Sequence, residues 1–174
     1  MARNIEIKAR VGDLPSVADK AAALADSGPV EIAQDDSFFR CEQGRLKLRA
    51  FSDSEGELIF YRRDNQSGPK QSFYVRSRTA EPAVLRETLA LAYGLAGRVV
   101  KARTLYLVGR TRVHLDRVQG LGDFVELEVV LQEHETPEEG VREAHALMAK
   151  LGIEASQLVD VAYVDLLNAP GAAS

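Results

Sequence analysis

The chain has 174 residues, 45% of them hydrophobic and 28% charged, with a formal net charge of -4; this suits one ordinary globular domain with a sizeable core. A single cysteine, Cys41, excludes an internal disulfide and any cysteine-based metal cluster, and no apolar run nears the ~18 residues of a membrane span. The acidic balance (pI about 5.5) argues against a general nucleic-acid binder, and an N-terminus that alternates from its start, with no apolar leader segment, points to a cytoplasmic protein.

The first predicted element is a strand over 4–11, where Asn4, Glu6, Lys8 and Arg10 alternate with Ile5, Ile7, Ala9 and Val11. An alanine-rich stretch over 14–27 predicts a helix capped by Ser16. Strands over 30–41 and 45–51 follow, joined at Glu42-Gln43-Gly44; the second sets Arg45, Lys47 and Arg49 against Leu46, Leu48 and Ala50. Turn signals at 52–56 and 65–69 precede strands over 57–63 and 71–78. Pro82 and Gly94 bracket a helix over 82–93. Strands over about 98–109, 111–118 and 123–132 come next, the last two joined by a hairpin turn at 119–122. Over 136–151, Thr136 and Glu139 fit a capping box, and Val141, Ala144, Met148 and Leu151 form one apolar helical stripe. A short helix near 159–168 closes a single domain over 1–168, and 169–174 read as a flexible tail.

The expected class is therefore α+β, with about eight mostly antiparallel strands and amphipathic helices. Each helix must bury its stripe, and the apolar strand faces are the natural partners. The polar faces then point away from the helices. In an open sheet they meet solvent; in a closed ring of eight strands they line a lumen wide enough for side chains or one small ligand.

Those polar faces carry a pattern. They hold Glu6, Lys8 and Arg10; Arg45, Lys47 and Arg49; either Arg62 or Arg63; Lys101 and Arg103; Arg112, His114 and Asp116; and Glu126 and Glu128. Gathered around one lumen, they form a ring of cations with carboxylates at one side. Lysine and arginine recognise phosphate oxygens, and carboxylates bind the hard cations Mg²⁺ or Mn²⁺. His114 reads as a structural hydrogen-bonding group, and nothing in the Ser and Asp spacing suggests serine hydrolysis.

The segments Glu6-Ile7-Lys8, Arg45-Leu46-Lys47-Leu48-Arg49, Val100-Lys101-Ala102-Arg103 and Leu115 through Glu128 resemble, in order and over nearly the whole chain, the CYTH superfamily of triphosphate tunnel metalloenzymes. The last of them is most similar to the class IV adenylyl cyclase branch. The resemblance implies a closed eight-stranded antiparallel β-barrel with the helices packed outside. It also implies a metal-dependent enzyme acting on a small triphosphate, with no nucleic-acid or membrane partner, as monomer or homodimer. By position it makes Lys8, Lys47, Arg49, Arg63, Lys101, Arg103 and Arg112 triphosphate-binding residues, with Lys8 and Arg49 catalytic. Glu6, Asp116, Glu126 and Glu128 become the ligands of Mg²⁺ or Mn²⁺. ATP cyclisation to cyclic AMP and pyrophosphate is the first reading. Inorganic or thiamine triphosphate hydrolysis is the second, and binding without turnover the third. The family motif opens with glutamate where this chain has Asn4, an oxygen ligand without charge.

Overall fold

Two opposite demands meet in every strand: apolar residues must cover helices, and polar residues must find partners of their own. The computed structural model describes residues 2–63 and 68–170. Its strands are β1 (Ala2–Arg10), β2 (Ser27–Phe39), β3 (Arg45–Ser52), β4 (Glu55–Arg63), β5 (Lys70–Thr79), β6 (Leu95–Val108), β7 (Thr111–Val118) and β8 (Gly122–Leu131). Its helices are α1 (Leu14–Leu24), α2 (Pro82–Tyr93), α3 (Pro137–Leu151) and α4 (Tyr163–Asn168). Every strand pairs antiparallel with two neighbours in the order β1-β5-β4-β3-β2-β6-β7-β8, and β8 returns to β1 to close the ring. Closure gives each strand a partner on both sides over at least part of its length. The turn expected over 65–69 falls largely outside the described residues, as does the tail from 171 onward.

The outward face of β1, β7 and β8 supplies Ile5, Ile7, Ala9, Val113, Leu115, Val125, Leu127 and Val129. These pack against Leu14, Val17 and Ala21 of α1 and Ala144, Leu147 and Leu151 of α3. Each full burial of such a side chain stabilises by about 1.5–3 kcal/mol, so this layer is the main source of cohesion. The α3 stripe turns slightly from the expected one. Ala144 and Leu151 are buried as predicted, but Leu147 and Gly140 take the inner line while Val141 and Met148 are half-buried. Gly140 is there for space: a Cβ would stand 2.6 Å from Ile5 Cγ1 and 2.7 Å from Leu131 Cδ2.

Two predicted helix ends are corrected. Asp13, not Ser16, caps α1; its carboxylate accepts from the Ser16 backbone N–H at 3.1 Å, and the helix stops at Leu24. The last helix begins only at Tyr163. Residues 155–157 form a single 3-10 turn, and 158–162 cross one end of the ring as extended chain, because they are held there by the strands. The Thr136–Glu139 capping box forms as expected.

That crossing seals one end of the lumen. Ala162, Tyr163 and Val164 pack with Phe38, Val99, Val118 and Phe124 in a second apolar cluster, and Asn168 donates to the Ala96 carbonyl on β6. No helix among the described residues is long and apolar enough to cross a membrane.

Candidate active site

The inward positions of the eight strands enclose a cavity of about 320 Å³. Among the described residues it is lined by eight basic side chains against five acidic ones, an excess of positive charge suited to a polyanion. Period-two alternation aims Lys8, Arg49 and Arg112 inward, beside Ile7, Leu48 and Val113, which are buried on the opposite face. The charges are tolerable because they are paired; an unpaired buried charge costs several kcal/mol.

Three clusters organise the lumen. In the first, Asp36 of β2, 2% exposed, accepts from Arg49 Nε and Nη2, both at 2.7 Å, and from Lys47 Nζ at 3.0 Å. Burial pushes the Asp36 carboxyl up, but the charges of Arg49 and Lys47 outweigh it and hold the group far below the usual range. For Lys47 burial leads and the Arg49 charge adds to it, bringing its pKa down to about 7. This ammonium can exchange a proton at neutral pH.

In the second cluster, Asp116 of β7 is 0% exposed. It accepts from Arg103 Nε and Nη2 at 2.6 Å and from the Tyr163 hydroxyl at 2.9 Å, with Lys101 Nζ at 3.5 Å. Arg103 also reaches Glu126 Oε2 at 2.9 Å, and Lys8 Nζ lies 3.6 Å from Glu126 Oε1. Burial would raise the Glu126 carboxyl, yet Lys101, Arg103 and Lys8 keep it well below the usual range. Lys8 also donates to the Val161 carbonyl at 3.0 Å and stands 4.2 Å over the Tyr163 ring, so the sealing segment fixes it from below.

The third cluster surrounds Glu128 of β8, which takes Asn4 Nδ2 at 2.6 Å, Arg112 Nη1 at 3.2 Å and His114 Nε2 at 3.1 Å. Burial raises its pKa, but the His114 hydrogen bond and the Arg112 charge bring it down to about 2. His114 itself is pushed down, first by burial and then by Arg103, so its ring is neutral at pH 7. It is the hydrogen-bonding group the sequence suggested.

Of the expected site residues, Glu6, Lys8, Lys47, Arg49, Lys101, Arg103, Arg112, Glu126 and Glu128 all line the one cavity. Asp116 does not. It is 0% exposed, and its oxygens accept from Arg103 and Tyr163. Arg45, expected to border the ligand, instead pairs with Asp165 of α4 at 2.6 Å and lies off the lining, because its end of β3 is the sealed one. Arg62 is exposed and stacks at 5.7 Å on the Phe60 and Phe73 rings. The side chain of Arg63 lies outside the described residues.

Sequence reasoning missed Asp36, Lys70 and Tyr163. Parity could have found the first two: Asp36 shares a face with Gln34 and Phe38, and Lys70 with Ser72 and Tyr74. Lys70 is 2% exposed and donates to the Asp160 carbonyl at 2.8 Å. Tyr163 carried no local signal, since its role depends on where the crossing segment lands.

For a divalent cation the donor chemistry fits. Glu6 and Glu128 pair in register across β1 and β8, Glu126 follows on the same face, and the buried Asn4 Oδ1 has no hydrogen-bond partner. Among the described residues no three carboxylate, histidine or cysteine side chains gather closely enough to hold a metal alone. Phosphate oxygens would have to complete the shell, the usual arrangement for Mg²⁺.

The CYTH domain profile matches residues 2–163. The chain is 26% identical over 172 residues to the adenylate cyclase CyaB of Aeromonas hydrophila, covering 91% of this chain and 85% of that one. Its fold is similar to that of the PH1012 protein of Pyrococcus horikoshii (TM-score 0.84, 22% identity, 95% and 99% coverage). It is also similar to that of HpAC1 from Hippeastrum, proposed as an adenylyl cyclase and found with a dominant triphosphatase activity (TM-score 0.63, 16% identity, 88% and 89% coverage).

Proposed function

The chain belongs to the CYTH domain family, and from that premise we propose that it is a metal-dependent enzyme processing a nucleoside triphosphate in this lumen, with cyclisation of ATP as its reaction. One observation carries the reading: a polyanion-sized cavity with excess positive charge and a single sealed end.

The seal gives the substrate a direction. Val99, Lys70 and Arg45 mark the closed end, through Tyr163, Asp160 and Asp165. Farther along the same strands, Leu105 on β6, Tyr74 on β5 and Phe51 on β3 line the other mouth, with Ile32 of β2 among the lining residues. Phosphates entering there reach the cations, and an organic group remains against apolar and aromatic edges. This favours a nucleotide over inorganic tripolyphosphate.

In the proposed reaction the ribose 3′-hydroxyl attacks the α-phosphorus and pyrophosphate leaves. Lys8 and Arg49 are the catalytic cations, spreading the charge that develops on the transferring phosphoryl oxygens, with Lys47, Lys101, Arg103 and Arg112 fixing the rest of the chain of phosphates. Arg49 is aimed by Asp36 and Arg103 by Asp116, so their geometry exists before the ligand arrives. Lys47, near its midpoint in the empty lumen, takes up a proton as the triphosphate binds, and the hydroxyl proton leaves with the pyrophosphate. Mg²⁺ or Mn²⁺, held at Glu6 and Glu126, would supply added charge and align the leaving oxygens.

The test is product analysis with ATP, thiamine triphosphate and inorganic tripolyphosphate in Mg²⁺ or Mn²⁺. Cyclic AMP with pyrophosphate, lost in Lys8→Met and Arg49→Met, is the expected result. Orthophosphate alone would replace cyclisation by triphosphate hydrolysis, the reading that HpAC1 of the same fold favours. Binding without turnover would make the protein a triphosphate sensor.

A further inference from the structure

Asn4 stands where the family motif opens with a glutamate, and its side chain is 1% exposed. Its amide nitrogen lies 2.6 Å from Glu128 Oε1, while Oδ1 has no partner. Chemistry dictates that orientation. Turned over, the amide oxygen would face a carboxylate at that distance, two acceptors with no proton between them.

Glu128 is enclosed by donors on its other sides as well. Arg112 reaches the same Oε1 at 3.2 Å and offsets the charge, and His114 Nε2 lies 3.1 Å from Oε2, leaving Nδ1 unpartnered. Two carboxylates at positions 4 and 128 would repel and call for a cation between them. An amide removes one charge and supplies an N–H to the other. Glu126 differs: its partners are Lys8 and Arg103, cations that an incoming triphosphate would itself engage.

Building on the metal-assisted triphosphate reading above, we infer that the Asn4 amide does on Glu128 the work of a cation. Glu128 is thereby a positioning residue for Arg112 and His114 rather than a metal ligand. The lumen seats one divalent cation, at Glu6 and Glu126.

The experiment counts Mn²⁺ bound per chain by equilibrium dialysis, with and without one equivalent of inorganic tripolyphosphate. Wild type is expected to bind one Mn²⁺. Glu126→Gln should weaken it more than roughly tenfold, whereas Glu128→Gln should leave it within about threefold. Asn4→Asp should bind a second Mn²⁺, and its melting temperature should fall in EDTA and recover with Mn²⁺. If Asn4→Asp does not fold, the contrast between Glu126→Gln and Glu128→Gln decides. Two Mn²⁺ in wild type, or equal weakening by the two glutamine variants, overturns this inference alone. No Mn²⁺ under either condition overturns the metal reading together with it.

Discussion

Asp36→Asn tests whether the lumen is a preorganised polyanion site. Asparagine keeps the volume but removes the charge that holds Arg49 at 2.7 Å and Lys47 at 3.0 Å in a setting only 2% exposed. Breaking a buried pair by removing one partner costs about 3–5 kcal/mol. Lys47, with its pKa already down to about 7, can relieve its share by losing a proton; Arg49 cannot. The loss should therefore fall near the lower bound, about 3 kcal/mol, or roughly 6–12 °C at 2–4 °C per kcal/mol for a chain of this length. Urea unfolding in EDTA measures it. Inorganic tripolyphosphate replaces the missing negative charge, so at equal ligand concentration the gap between wild type and variant should narrow. A loss below about 1 kcal/mol, the range of an exposed ion pair, refutes the buried-pair account. A gap that stays constant or widens with ligand refutes the idea that the cations await a polyanion.

Lys47 makes a second prediction. Its folded pKa lies below its unfolded one, so between about pH 7 and 10.5 the unfolded chain binds the extra proton and this group's contribution makes stability rise with pH. A bound triphosphate favours the protonated form, so binding at pH 7 should take up roughly half a proton. Calorimetry in two buffers of different ionisation enthalpy reads the uptake, which should vanish in Lys47→Met. In the outer layer, Gly140→Ala gains about 1 kcal/mol of helix propensity. It also forces a Cβ to within 2.6 Å of Ile5. Overpacking of about 1–3 kcal/mol should win, so thermal unfolding should show a less stable protein.

Much of this molecule was legible in its residues because period-two alternation needs no tertiary knowledge. Ile5 and Ile7 must go under helices, so Glu6 and Lys8 must go inward, and the same parity brought Lys47, Arg49, Lys101, Arg103, Glu126 and Glu128 to one lumen. Parity does not say which inward charges meet each other. That depends on register, which joined Asp36 to Arg49 across the neighbouring strands β2 and β3 and Asn4 to Glu128 across strands far apart in sequence. It also set Asp116 against Arg103, at 2.6 Å. Nor does alternation say which end of the ring is closed. The crossing of 158–162 decided that, drawing Arg45 to Asp165 and setting Tyr163 beneath Lys8. Local pattern fixes which way a side chain faces; only the closed ring of strands decides what it faces.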